Sequence, residues 1–396
     1  MDLSVAFLGT GGSVPTARRA TASVLVARGG ERLMFDCGEG TQRQMQRSLG
    51  LVQVDAIFLT HFHADHFLGL PGLLKTYDLT DRARPLTVYG PAGLRELFAA
   101  LRPLLGRNRF EIDLIELGPG DAVPGDGYEI RAFGVEHRTR ACGYALTEEE
   151  RPGRLDAEEA RRLGIPFGPD FGRLQRGESV TGSQGTVAPE QVMGEPRPGR
   201  TVAITGDTAP CHATAEAARG ASLLVHDASF AEEEAQRAAE TGHSTAGQAA
   251  ALAREAGVAM LALVHISSRY HVGAILEEAR EEFANCVAPR DFDLVEIPFP
   301  ERGEPVLVPN GARGREAGVR EAKGGGEGED EGRAVMEPES GGETEAEGGG
   351  EGEDEGRAVM EPESGGETES EGGGETEAEG GGEMEPGVRE DSSPGS

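Results

Sequence analysis

The sequence has few cysteines, no long apolar run and a shortage of positive charge, and each of these narrows what the chain can be. Its four cysteines, Cys37, Cys142, Cys211 and Cys286, are scattered without CxxC spacing. Neither a disulfide framework nor a thiolate zinc site is therefore indicated, and buried free thiols are expected. No apolar stretch approaches the ~20 residues that span a bilayer. The opening "MDLSVAFLGTGG" lacks the basic start and cleavage site of a signal peptide. A cytoplasmic protein with no membrane partner is the expectation. Against 70 acidic residues there are 38 basic ones, a formal net charge of −32. Such a sign argues against RNA binding unless the basic groups are concentrated locally.

The charge is unevenly spread. Beyond Pro309 stand 27 acidic and 7 basic residues, a net −20, which leaves an ordinary −12 for the first 309 residues. In that acidic stretch "GGGEGEDEGRAVMEPESGGETEAE" at 324–347 recurs at 348–371 with only Ala346 replaced by Ser370. Each unit offers only Ala, Val and Met as apolar material, so it cannot bury a core, and residues 310–396 read as a disordered, self-repelling tail. A chain ending at Pro309 is expected to keep its activity.

Residues 1–309 alternate short apolar or β-branched runs with helical stretches, the pattern of an α/β domain. Strands are expected at "LSVAFLG", "ASVLVAR", "RLMFDCG", "DAIFLT", "LTVYGP", "FEIDLIEL", "YEIRAFGV", "TVAITG", "ASLLVHD" and "AMLALVH". Helices are expected over Thr41 to Ser48, Leu68 to Leu79, Ala92 to Leu105, Ala231 to Glu240, Thr245 to Ala256 and Val272 to Asn285. Ser244 is placed to cap the fifth helix and Gly257 to end it. Between Arg151 and Arg200 the regularity lapses into Gly-, Pro- and Arg-rich text, a long loop or flexible arm interrupting the core. Insertions of this length tend to be functional.

The stretch "FLTHFHADHFLG" places His61, His63, Asp65 and His66 within six residues, just after an apolar run. Imidazoles and a carboxylate suit borderline divalent cations such as zinc, and four such groups exceed the share of one tetrahedral ion, which hints at two metals. Further donors stand at later strand ends: His137 closes "YEIRAFGVEH", Asp207 follows "TVAITG" and His265 ends "AMLALVH". His212, His226 and His271 are read as structural or supporting residues.

With HxHxDH followed by His, Asp and His in this order, the sequence resembles the metallo-β-lactamase superfamily. Within it, "FLGTGGSVPTARRATAS", "FDCGEGTQRQMQRSLG", "ITGDTAPC", "GHSTAGQAA" and "LVHISSRY" are similar to segments of the ribonuclease Z family, endoribonucleases that process the transfer-RNA 3′ end. The resemblance covers about the first 309 residues and implies a four-layer αβ/βα sandwich with two Zn2+ per subunit. It implies that His61, His63 and His137 hold one ion, that Asp65, His66 and His265 hold the other, and that Asp207 bridges them. Asp65 would be the general base. A family glutamate that orients a proton-donating histidine is matched by Asp227 in "VHDASF", one methylene shorter, and the histidine by His243 in "GHST".

The implied substrate is a transfer-RNA precursor, cut to leave a 3′ hydroxyl on the RNA and a 5′ phosphate on the trailer. Arginines fall in segments expected to ring the site: Arg18, Arg19, Arg43, Arg47, Arg138, Arg140 and Arg269. Residues 151–200 add eight arginines against seven acidic residues. The resemblance makes that segment an arm or exosite that grips the RNA body, usually within a homodimer. Two alternatives stand beside this reading. One is a hydrolase of the same fold acting on a small-molecule ester, the other a non-catalytic RNA-binding protein.

Overall fold

A computed structural model describes residues 2–310, and the acidic repeats expected to form a disordered tail lie outside the described residues. In chain order the first strands are β1 (Leu3–Gly9), β2 (Ser23–Arg28), β3 (Glu31–Phe35), β4 (Ala56–Phe58), β5 (Leu86–Gly90) and β6 (Ile112–Glu116). Next come β7 (Ala122–Gly125), β8 (Tyr128–Gly134), β9 (Cys142–Glu148), β10 (Val180–Gly182), β11 (Gly185–Val187), β12 (Thr201–Ile204), β13 (Leu223–Asp227), β14 (Leu261–Val264) and β15 (Cys286–Val287). Two strands, β16 (Leu294–Glu296) and β17 (Val306–Val308), return to the first sheet. That sheet runs β17-β16-β1-β2-β3-β4-β5-β6 and the second runs β15-β14-β13-β12-β9-β8-β7, with β10 and β11 forming a separate hairpin.

Alternation along the strands builds the layers. In β1, Val5 and Phe7 face the second sheet's Ile130, Tyr144 and Val225. Ala6 and Leu8 face the opposite way, among Leu70, Leu73 and Leu74. A strand buried on both faces needs helices outside it. These are α1 (Thr41–Ser48), α2 (Ala64–Phe67), α3 (Gly69–Leu79) and α4 (Leu94–Leu105) over the first sheet. After α5 (Ala157–Arg162) and α6 (Pro169–Gln175) of the inserted segment come α7 (His212–Ala217), α8 (Ala235–Thr241), α9 (Ala246–Ala256) and α10 (Val272–Glu282). Of these, α7, α9 and α10 pack on the second sheet through alanines such as Ala249, Ala253 and Ala279. The result is the expected four-layer αβ/βα sandwich.

Three local expectations change. Helix α9 is capped by Thr245, not Ser244: Thr245 Oγ1 accepts from Gln248 N at 3.1 Å and Gln248 Oε1 accepts from Thr245 N at 3.0 Å. This reciprocal pair leaves Ser244 to donate to the Thr208 carbonyl at 2.7 Å. The helix expected over Ala231 to Glu240 begins as a 3-10 turn, Glu232–Glu234, before α8. Most importantly, residues 151–200 are not a long loop. They fold into α5, α6 and the β10–β11 hairpin around a core of Ala160, Ile165, Phe171, Leu174, Val180 and Val187. Asp156 caps α5 by accepting from the Glu158 and Glu159 amides. Elements this short show no readable periodicity in sequence. All four cysteines are free, and all but Cys211 are buried.

Candidate metal centre

The chemistry-bearing residues stand where strands of both sheets end. β4 delivers His61 and His63, with Asp65 and His66 on α2, while β8 leads to His137, β12 to Asp207 and β14 to His265. The turn into Asp207 requires Gly206, whose φ is 64° and whose added Cβ would stand 2.6 Å from Thr60. His265 itself sits at φ 59°, a conformation that non-glycine residues rarely adopt and that functional sites concentrate.

All seven expected ligand residues converge. His61, His63, His137 and Asp207 form one group, and Asp65, His66 and His265 another, within each of which the donor atoms lie within 4.8 Å of one another. Asp207 stands between the two. Its Oδ2 is 3.6 Å from His61 Nε2 and 4.0 Å from His137 Nε2. Its Oδ1 is 3.2 Å from His66 Nε2 and 3.4 Å from His265 Nε2. Four rings are held through Nδ1, by Thr60 Oγ1 for His61 (3.1 Å), Asp36 for His66 (2.8 Å), the Gly242 carbonyl for His137 (2.8 Å) and Ser229 Oγ for His265 (2.8 Å). A ring fixed at one nitrogen presents the other, which is how metal-binding histidines are oriented.

The donor set fits divalent cations. His61 Nε2, His66 Nε2 and Asp207 Oδ1 are buried and make no hydrogen bond, so these polar atoms face one another across a space that a cation would satisfy. Burial holds His61 well below the usual histidine range, in the neutral form that binds metal. Burial also opposes charge on His66, but Asp207 and Asp36 overcome it and raise that ring well above its usual range. Burial likewise works against ionised Asp65, yet the hydrogen bond from His265 keeps it below the carboxylate range. A negative potential that draws protons onto buried imidazoles also draws cations.

Beside this centre, Asp227 ends β13 and its Oδ2 lies 2.8 Å from His243 Nδ1. The backbone has thus made up for the missing methylene. Asp227 Oδ1 accepts from the Ser229 amide at 2.9 Å and hydroxyl at 2.6 Å. Because the Asp227 side chain is buried with both oxygens engaged, an added methylene would have to displace these partners. Asp227→Glu should destabilise the fold by about 1–3 kcal/mol; a thermal melt matching the parent would contradict this packing.

His226 is buried with Nδ1 against the Asp227 carbonyl, His212 is exposed near Glu216, and His271 caps α10. None joins the cluster among the described residues. Sequence reading missed Asp36, Thr60 and Ser229, the residues that hold the rings. Asp36 sits in the quoted "FDCG" directly after β3 at φ 57°, but a single aspartate after a strand carries no partner information.

Two clefts are lined by arginines, and one of them shares His243 and His265 with the centre. Arg18, Arg19, Arg43 and Arg47 line one of about 350 Å3 with Asp291 and Phe292. Arg237 and Arg269 line another of about 310 Å3 with Phe230, Ser267 and His243. Arg138 and Arg140 are exposed beside His137. The arginines of the inserted segment are mostly engaged within the protein, Arg162 with Glu159, Arg173 and Arg176 with Glu178, Arg151 and Arg197 with Glu301, and Arg200 with Glu148. They are therefore poorer phosphate ligands than their number suggests. Among the described residues no helix is long and apolar enough to cross a membrane.

Residues 16–246 match the model of the metallo-beta-lactamase superfamily. The chain is 52% identical over 302 residues to a ribonuclease Z of Methanosarcina acetivorans, covering 75% of this chain and 99% of that one. It is 48% identical over 302 residues to a ribonuclease Z of Myxococcus xanthus, covering 75% and 98%. Among solved structures it superposes on human tRNase Z, short form, with a TM-score of 0.55 at 26% identity, over 74% of this chain and 99% of that one. A metal-binding cluster at the strand ends of this sandwich, together with such extensive identity, places the chain in the ribonuclease Z family of metal-dependent nucleases within the metallo-β-lactamase superfamily.

Proposed function

We propose that the protein is a zinc-dependent endoribonuclease that removes the 3′ trailer from transfer-RNA precursors, leaving a 3′ hydroxyl on the RNA and a 5′ phosphate on the trailer. The observation that carries this reading is the division of ligands by Asp207, whose two oxygens each face histidines of a different trio. His61, His63 and His137 would hold one Zn2+, Asp65, His66 and His265 the second, with Asp207 bridging. Two such ions, when bound, supply Lewis acidity at the phosphate and a water that loses its proton near neutral pH.

The remaining steps belong to the chain's own residues. Asp65 is fixed through Oδ2 by the Ser13 amide at 2.8 Å. Held ionised at the rim of the cluster, it is the acceptor for the proton of the attacking water. The leaving atom is the ribose 3′ oxygen, which needs a proton as the P–O bond breaks. His243 donates it: Nδ1 is tied to Asp227, and the ring borders the cleft of Arg237 and Arg269. Burial disfavours the charged ring, but Asp227 outweighs burial and raises its pKa to about 9.

This arrangement gives a pH dependence. Since the proton donor works only when charged, kcat should fall as pH rises through the His243 pKa. Asp227→Asn removes the carboxylate that raises that pKa, so the falling limb should shift to lower pH. An unchanged limb in the variant would remove His243 from the donor role.

The local positive surface that an acidic chain needs to take RNA comes from Arg18, Arg43, Arg47, Arg138 and Arg140, since Glu234 pairs with both Arg237 and Arg269. The inserted segment is the arm that grips the RNA body. β9 runs away from the metal centre and β12 runs back to it, so the arm roots at the far end of these strands, about 20 Å from the site at ~3.3 Å per residue. A homodimer in which one subunit's arm serves the partner's site accommodates that separation.

The test is incubation of the zinc-loaded protein with a precursor transfer RNA carrying a labelled trailer. Release of one trailer species with a 5′ phosphate is expected. Hydrolysis of bis(p-nitrophenyl) phosphate without trailer release would favour a small-ester hydrolase, and RNA binding without cleavage a non-catalytic protein.

A further inference from the structure

The arm joins the body through two antiparallel segments. Arg151 and Arg197 exchange backbone hydrogen bonds at 2.8 Å in each direction, and the Gly194 and Asp156 amides donate to the Arg154 and Val192 carbonyls at 2.9 and 2.7 Å. The two strands are so close that a Cβ on Gly153 would stand 1.9 Å from the Gly194 carbonyl oxygen. A two-stranded ribbon alone is marginally stable in water and free to swing. What meets this one is the segment between β16 and β17, which belongs to the other sheet.

There one carboxylate holds both strands of the ribbon. Glu301 accepts from Arg151 Nη1 at 2.8 Å and Nη2 at 3.0 Å, and from Arg197 Nη1 at 2.9 Å. Two residues earlier, the Phe299 ring has the Arg151 guanidinium 3.5 Å and the Arg200 guanidinium 3.9 Å from its centroid. Arg200 is anchored in turn by Glu148 at 2.7 and 2.8 Å and by the Ile297 carbonyl at 2.8 Å. Planar cations stacked on an aromatic ring and paired with a carboxylate fix direction as well as distance.

We propose that Glu301 and Phe299 are positioning residues that lock the direction of the arm relative to the metal centre, and so set how well a long RNA engages both at once. This rests on the reading of the arm as an RNA grip. Neither residue touches the cluster, so the chemical step should not depend on them. Freed from the clamp, the arm would remain folded on its own core but sample many directions, and RNA binding would bear the loss of that preorganisation.

The experiment uses the full zinc-loaded chain and two variants, Glu301→Gln and Glu301→Lys, the first keeping the side-chain shape and the second reversing its charge. With precursor transfer RNA, Glu301→Lys should raise KM about tenfold while kcat stays within about twofold, the signature of lost binding common to ground and transition states. Glu301→Gln should fall between. Hydrolysis of bis(p-nitrophenyl) phosphate should be unchanged in both, and hydrogen exchange should quicken at the Arg151, Gly194 and Arg197 amides of the ribbon. An unchanged KM with faster ribbon exchange overturns the clamp's role, as does an equal loss on RNA and on the small ester. Failure of the parent chain itself to release the trailer defeats the function reading, and the clamp's role with it.

Discussion

Replacing Asp207 by alanine should reduce trailer release from a labelled precursor by more than about 10³-fold, well beyond the 10- to 100-fold lost when a residue merely supporting a metal ligand is removed. The reason is its position. One oxygen faces His61 and His137, the other His66 and His265, so under the proposed two-ion arrangement a single truncation would take a ligand from both ions. It also strips the charge that balances five imidazoles gathered in one place. The layers of the sandwich are packed by Val5, Phe7, Leu70 and Ala253, none of which depends on Asp207. Circular dichroism should therefore report a folded protein, and single-turnover cleavage should report the loss. Cleavage within tenfold of the parent would remove Asp207 from the bridging position.

His243→Ala should lower the single-turnover rate by about 10²–10⁴-fold, the usual contribution of a placed proton donor. The loss should depend on the leaving group. In a precursor whose scissile bond ends on a 3′ sulfur, the departing thiolate needs no proton, so variant and parent should cleave at rates within about tenfold of each other. Asp227→Asn should show the same rescue in weaker form, because the amide still holds Nδ1 but no longer stabilises the charged ring. A His243→Ala defect of the same size on oxygen and sulfur substrates would mean that the ring contributes something other than the proton.

Much of this site could be read from the sequence because strands deliver ligands in order. The apolar runs before His61, His137, Asp207 and His265 are identifiable as strands in the sequence, and each ends within three residues of its expected ligand. What could not be read is the matter of which groups hold the rings. Asp36 and His66 are thirty positions apart and meet at 2.8 Å only because β3 and β4 are adjacent and parallel. Ser229 reaches His265 because β13 and β14 pair with Asp227 opposite Val264. Asp227 is one methylene shorter than the residue it matches, and sequence could not reveal that it still comes to 2.8 Å from His243.

The arm was misjudged for a different reason. Its six- and seven-residue helices and three-residue strands bury Ile165, Phe171 and Val187 against one another, contacts that local pattern does not encode. Counting its arginines overstated the charge available to RNA, since sequence does not reveal that Glu301 engages two of them and Glu148 a third.

Elemental analysis of the purified, folded chain addresses the account most directly. Two divalent transition-metal ions per polypeptide are predicted, with zinc restoring both after chelation and His137→Ala retaining fewer. A folded protein that takes up none would contradict the account at its root.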